Sequence, residues 1–256
     1  MPKFNEDIFL SYTNYDQLVG LKKLKFILSA IRKYFQEVNK NSNIISILEI
    51  GCGEGNITVP LGSLGYQIRA IDVNKQAVIQ LEIKIKENDL QNIVTSVDDG
   101  YTFNDDKKYD IVIASEVLEH LEDPFRFLVN ISKRMRKGSY FIVTIPNGFG
   151  PWELRNRIFL RSLYYSNYFR KVMGFSSSIE IPGKKHLQFF RKSELLNLIS
   201  GLSFDLICFS NSDALFSILW TPLTKPIHLL EKIDIKLADS LPSWCASGWF
   251  LLFKKK

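Results

Sequence analysis

The chain has 256 residues, of which 46% are hydrophobic and 23% charged, a balance that excludes an intrinsically disordered polymer and allows a real core to be buried. A formal charge of +6 favours anionic partners without selecting one, because Lys254, Lys255 and Lys256 and the run Arg155, Arg157, Arg161, Arg170 and Lys171 carry much of it. Cys52, Cys208 and Cys245 have no CxxC spacing, which excludes a disulfide framework or a thiolate metal site and fits a reducing, cytoplasmic setting.

The opening MPKFNEDIFLSYTNYD is polar and acidic where a secretory leader needs an apolar core. No run of eighteen uncharged apolar residues occurs, so neither export by that route nor a membrane span is expected. Residues 17 to 38 place Leu18, Leu21, Leu24, Ile27, Leu28 and Ile31 at helical spacing, which predicts an amphipathic lead-in helix and a lead-in region over residues 1–42.

From Ile44 short β-branched runs alternate with helical stretches: ISILEI, NITVPLGSLG, YQIRAID, NKQAVIQLEIKIKENDL, NIVTSV and YDIVIAS. A helix then opens at Asp123-Pro124 and is expected to end before Gly138, with Phe127, Leu128, Ile131 and Met135 on one face; SYFIVTIP follows as a strand. These five strands, with two more read below, predict an α/β fold with a doubly wound, mostly parallel seven-stranded sheet.

After Pro146 the rhythm breaks. Residues 193 to 200 read as a helix, FDLICFS as a strand, 214 to 240 as mostly helical and GWFLLF as a closing strand. The main domain is placed at 43–256, with helical, substrate-facing insertions in its C-terminal half at about 148–190 and 213–245.

The sharpest feature is ILEIGCGEGNITVPL, residues 47 to 61, where a strand carrying Glu49 runs into Gly51, Cys52, Gly53 and Gly55 ahead of a helix. Such a turn needs backbone angles that side chains resist, and a missing Cβ lets a ligand lie against the main chain. Asp72, followed by Val73, ends the next strand, where a carboxylate can accept hydrogen bonds from the two hydroxyls of a ribose. The glycine spacing is GxGxG rather than GxGxxG, and Glu49 would repel a pyrophosphate while attracting a cationic ligand end. A nicotinamide-dependent oxidoreductase is therefore disfavoured.

EIGCGEG, the acid Asp72 and SEVLEHLEDP at 115 to 124 together resemble the motifs of class I S-adenosylmethionine-dependent methyltransferases, and the resemblance covers residues 44 to 146. It implies a Rossmann-like fold and S-adenosylmethionine as cofactor. It further implies that Glu49, Gly51, Cys52 and Gly53 cradle the methionine part, Asp72 and Val73 the nucleoside, Asp98 or Asp99 the adenine amino group, and Ser115 and Glu116 the pocket floor.

Within that resemblance the chemistry is expected to be O-methylation of a small molecule: a quinone precursor, a sugar or a lipid-linked glycan. The alternatives are RNA 2′-O-methylation, or a nucleoside-binding scaffold that has lost turnover. His186, which precedes a QFFRKSELL stretch, is the first candidate base, with a loop histidine as the bland reading. Asn147 lies where its amide could orient an acceptor or hold a turn, and Glu116 completes the candidate set. No metal is expected, although Glu116, Glu119, His120 and His186 are the residues that would hold Mg²⁺ if one were used.

Residues 152 to 175 mix Trp152, Phe159, Tyr164, Tyr165, Tyr168, Phe169 and Phe175 with five cations. A lid over the acceptor or a partly buried insert is expected there, ahead of contact with a membrane or a lipid-linked substrate. Nucleic acid is disfavoured because no recognised binding motif accompanies the charge.

Overall fold

The structure, a computed structural model, describes residues 17–38, 45–150, 153–154, 186–213 and 228–256. The expected lid at 152–175, apart from Glu153 and Leu154, and the helical reading of 214–227 lie outside the described residues.

In chain order the elements are α1 (Gln17–Val38), β1 (Ser46–Ile50), α2 (Thr58–Ser63), β2 (Gln67–Asp72), α3 (Lys75–Glu87), β3 (Ile93–Val97) and β4 (Tyr109–Ser115). They continue with α4 (Pro124–Lys133), β5 (Met135–Pro146), α5 (Lys192–Ser200), β6 (Phe204–Asn211), α6 (His228–Ala238) and β7 (Gly248–Lys255). The seven strands form one sheet in the order β3-β2-β1-β4-β5-β7-β6. β1 to β5 pair in parallel, whereas β7 runs antiparallel to both of its neighbours, β5 and β6.

Alternation along each strand divides the core in two. On one face Ile47, Ile68, Ile111, Ile113 and Ile142 pack with Leu24, Ile27 and Ile31 of α1 and with Val59, Leu61 and Leu81. On the other, Leu48, Ile50, Ile71, Val112 and Val143 pack with Phe127, Leu128 and Ile131 of α4 and with Leu195 and Ile199 of α5. A parallel sheet buried on both faces requires such runs, and β4 is buried from Tyr109 through Ala114. The helix starts are specified locally. Asn74 Oδ1 accepts from the amides of Gln76 and Ala77 ahead of α3, and Asp123 accepts from Arg126 N with Pro124 as the first residue of α4.

One boundary differs from the sequence expectation. α4 ends at Lys133, and Met135 opens β5 instead of continuing the helix. Met135 is buried in either case, so its spacing from Ile131 gave a false helical signal. The chain bulges before regaining register: Tyr109 pairs with Met135 but Ile111 with Tyr140, and Gly138 takes φ +83° in between.

The sheet order reverses between β1 and β4. In doubly wound sheets the crevice beyond the strand ends at such a switch point is where ligands lie. Ile50, Asp72 and Ser115 end β1, β2 and β4 at that edge.

Candidate functional site

The glycine turn is built by three glycines with different duties. Gly51, Gly53 and Gly55 all have positive φ, at +71°, +52° and +87°. A Cβ on Gly51 would lie 2.5 Å from Val117 Cγ2, and one on Gly55 would lie 2.4 Å from Leu81 Cδ1, so both are glycine because protein packs against them. Beside Gly53 there is nothing within 4 Å, and here the main chain faces open space. The amides of Gly51 and Cys52 donate to Ile71 O at 2.8 and 3.1 Å, which ties the turn to β2. Cys52 itself is buried in the core, and burial beside Glu49 and Asp72 pushes its thiol far up, so only its main chain is available to a ligand.

Glu49 is buried, and its Oε2 accepts from Thr58 Oγ1 at 2.6 Å. Burial pushes its carboxyl up to about 8, with the Asp72 charge adding to the shift and the Thr58 bond opposing it. An acid kept protonated beside a ligand cradle is poised to ionise when a cation arrives. Asp72 accepts Gly53 N on Oδ2 and Asn74 N on Oδ1, both at 2.8 Å, so the same carboxylate shapes the glycine turn and the start of α3. Val73, next in the chain, is 67% exposed. Asp98 N donates to Asp72 O at 3.1 Å, which sets the two acids side by side, while the Asp99 carboxylate accepts from Tyr101 N.

Beyond β4 a polar cluster forms across three elements. Ser115 Oγ and Thr144 Oγ1 are 2.7 Å apart, and Thr144 Oγ1 donates to Glu116 Oε1 at 2.9 Å. Lys23 of α1 donates to the same Glu116 oxygen at 3.0 Å. The Glu116 side chain is 43% exposed; desolvation against its neighbours works against its charge, yet the Lys23 ammonium and these hydrogen bonds hold its carboxyl below the usual range. Glu119 is buried and is driven well up, first by burial and then by the Glu116 charge. Its Oε2 has no hydrogen-bond partner.

Glu119, His120 and His186 each offer a ligand atom, and these atoms lie within 4.8 Å of one another. The His120 and His186 rings meet edge to face at 5.1 Å between centroids. His186 is delivered there by the segment ahead of α5, whose Leu187 and Gln188 amides donate to Glu119 O at 2.8 and 3.0 Å. The buried Glu153 sets Oε1 2.8 Å from His186 Nδ1. Of the four residues that would hold a metal if one were used, Glu119, His120 and His186 are therefore gathered, while Glu116 is engaged by Lys23 and Thr144. Two imidazoles and one carboxylate, whose Oε2 is buried without a hydrogen-bond partner, form a donor set that fits a divalent cation.

Asn147 has the turn role. It is buried, its Nδ2 donates to Ala246 O at 2.9 Å and to Trp244 O at 3.3 Å, and its Oδ1 accepts from Phe149 N. Both ends of the amide are thus occupied within the protein.

Lys23, Thr58, Thr144 and Glu153 escaped the sequence argument. Thr144 left a faint signal as the one hydroxyl in the apolar run FIVTIP; Lys23 left none among the other lysines of its helix.

A family model described as a methyltransferase domain matches residues 22–209, which is most of the chain. The chain belongs to the class I S-adenosylmethionine-dependent methyltransferase family. Its cofactor is accordingly S-adenosylmethionine. Among methyltransferase relatives, a ubiquinone biosynthesis O-methyltransferase of Rickettsia typhi is 30% identical over 127 residues, covering 49% of this chain and 49% of the relative. One of Rickettsia bellii is 31% identical over 129 residues, covering 48% and 50%. The match thus spans about half the length of these curated relatives.

Solved methyltransferases share the fold. A S-adenosylmethionine-dependent methyltransferase of Aquifex aeolicus has a TM-score of 0.56 at 10% identity over 98% of both chains. The N-methyltransferase NodS of Bradyrhizobium japonicum, in complex with S-adenosyl-L-homocysteine, has 0.52 at 13% identity over 89% of this chain and 84% of that one. Among the described residues, no helix is long and apolar enough to cross a membrane.

Proposed function

We propose that this methyltransferase transfers a methyl group to a hydroxyl oxygen of a small acceptor, with a quinone precursor as the foremost class. The observation that carries this reading is the convergence of Glu119, His120 and His186 beside Glu116, at the same sheet edge as the glycine turn. A titratable cluster at that place suits a hydroxyl, whose proton must be removed. The ubiquinone biosynthesis O-methyltransferases found as relatives support the same acceptor class.

In this reading the amino acid end of the cofactor lies over Gly53 and near Glu49, the ribose hydroxyls bond to Asp72, and the adenine lies by Val73 with Asp98 or Asp99 at its amino group. The acceptor oxygen attacks the methyl carbon in line as the carbon–sulfur bond breaks. The electron pair goes to sulfur, neutralising the sulfonium, and the hydroxyl proton passes to His186. The Glu153 carboxylate lies 2.8 Å from Nδ1, and Nε2 is assigned as the accepting atom. Most of the acceleration is positional: holding oxygen and methyl in line supplies roughly 7–11 kcal/mol.

The donor set supports a second reading, in which Glu119, His120 and His186 hold a divalent cation. Bound there, such an ion would act as a Lewis acid on the acceptor oxygen. His186 would then be a ligand and not the base.

The test is methyl transfer from isotopically labelled S-adenosylmethionine to a panel of catechols, hydroxyquinones and sugars, with and without a chelator. O-methylated product from the aromatic panel, lost in His186→Ala, is expected; label appearing on nitrogen acceptors alone, or on none of the panel, overturns the assignment. Chelator sensitivity selects the metal reading.

A further inference from the structure

Lys23 reaches this cluster from α1. Its neighbour Lys22 fixes the helix on the other side, donating to Ile235 O at 3.1 Å and pairing with Asp239 at 2.9 Å. Lys23 itself is mostly covered, and its ammonium spans Glu116 Oε1 at 3.0 Å and Ser115 Oγ at 3.4 Å. The carboxylate it holds stands on an unusual backbone: Glu116 has φ +55°, supported by its amide donating to Thr144 O at 2.9 Å. Strain of this kind in a non-glycine residue persists only where the surroundings over-determine it. Behind it, Val117 wedges against Gly51 of the cofactor turn.

We propose that Lys23 sets the divalent-ion affinity of this site by serving as a built-in cation for Glu116, so that a divalent ion held by Glu119, His120 and His186 finds three protein ligands in place of four. The inference rests on the metal reading given above. Its physical basis is charge. The groups facing one another are the Lys23 ammonium, the Glu116 and Glu119 carboxyls, the two imidazoles and Glu153. A monovalent cation 3.0 Å from Glu116 neutralises the carboxylate that would otherwise turn toward the ion, and repels a second cation arriving nearby. Removing the ammonium while keeping the carboxylate leaves Glu116 unpaired beside Glu119, an arrangement that recruits a cation.

The experiment is a titration of the purified chain with Mn²⁺, read by the paramagnetic resonance signal of free ion, with thermal melts as the fold control. Lys23→Met is expected to bind Mn²⁺ at least roughly tenfold more tightly than the unaltered chain. Lys23→Arg, which keeps the charge, should leave the affinity unchanged, and Lys23→Met combined with Glu116→Gln should lose the gain. A Lys23→Met variant that binds no more tightly, whether both proteins bind or neither does, overturns the proposal; so does a gain that survives Glu116→Gln. His186→Ala separates the two layers. If it abolishes binding while Lys23→Met brings no gain, only the role of Lys23 fails. If Mn²⁺ binding by the Lys23→Met protein survives His186→Ala, the ion lies elsewhere and the metal reading fails with it.

Discussion

Glu49 makes the cradle sensitive to pH. Its carboxyl has an ordinary value of 4.5 and is pushed up to about 8 by burial, so the folded chain holds a proton that the unfolded chain has released over that window. Its contribution to stability therefore falls as pH rises from about 4.5 through about 8, and is level above. A ligand ammonium favours the ionised carboxylate. Binding of S-adenosylhomocysteine at pH 7 is accordingly expected to release close to one proton, with affinity rising from about pH 6 to about pH 8. Calorimetry in buffers of different ionisation enthalpy measures this directly, and Glu49→Gln should flatten the profile. A buffer-independent heat would place the ammonium away from Glu49.

The glycines separate in the same way. Gly53→Ala puts a methyl into open space at φ +52°, straining the backbone by about 1–2 kcal/mol and obstructing the ligand face. Its loss of homocysteine-ligand affinity should far exceed its loss of stability. Gly51→Ala should do the reverse, because its Cβ meets Val117 Cγ2 at 2.5 Å and overpacking costs about 1–3 kcal/mol. Denaturant melts and calorimetry on the two variants, side by side, check the contrast.

At the scale of elements, α1 is fastened to the sheet at its far end by Asp110, a buried residue of β4. The carboxylate accepts from Tyr34 OH at 2.9 Å, from Ser46 N and Oγ at 3.1 and 2.9 Å, and from Arg136 at 3.1 Å. Asp110→Ala strands the Tyr34 hydroxyl and the Ser46 amide, and each buried donor left without a partner costs about 1–3 kcal/mol. Arg136 is half exposed and its loss adds little. Urea unfolding should show the drop, with α1 exchanging its amides first.

What could be read in the sequence divides along the same lines. The strand-turn-helix of residues 47 to 61 and the acid at Asp72 were legible because each depends on neighbours in the chain: positive-φ glycines, an apolar strand, a carboxylate two residues before an N-cap. The end of α4 was not, because Met135 satisfies helical and strand burial alike. Neither was the Lys23–Glu116 pair. Its members stand 93 positions apart, and a lysine on an amphipathic helix gives no sign that it turns inward. The gathering of Glu119, His120 and His186 was legible only through family resemblance, since a backbone grip of Glu119 O on Leu187 and Gln188 brings the distant histidine in.

For the molecule as a whole, a ligand that binds only the folded chain adds to its stability by mass action. At a hundredfold excess over Kd, S-adenosylhomocysteine should add about 2.7 kcal/mol, read as a rise in melting temperature. No such rise at saturating ligand would contradict the cradle as drawn.

The position of β7 has a consequence for how this protein is made. It is the last of the described strands in sequence, yet it sits between β5 and β6 and supplies hydrogen bonds to both. About a hundred residues separate the end of β5 from its partner. At a synthesis rate of roughly 5–20 residues per second, a nascent chain on the ribosome carries β5 as an open edge for several seconds or more. Apolar strands with unpaired edges are aggregation sites, so β5 is exposed to misassembly until β7 emerges to cover it.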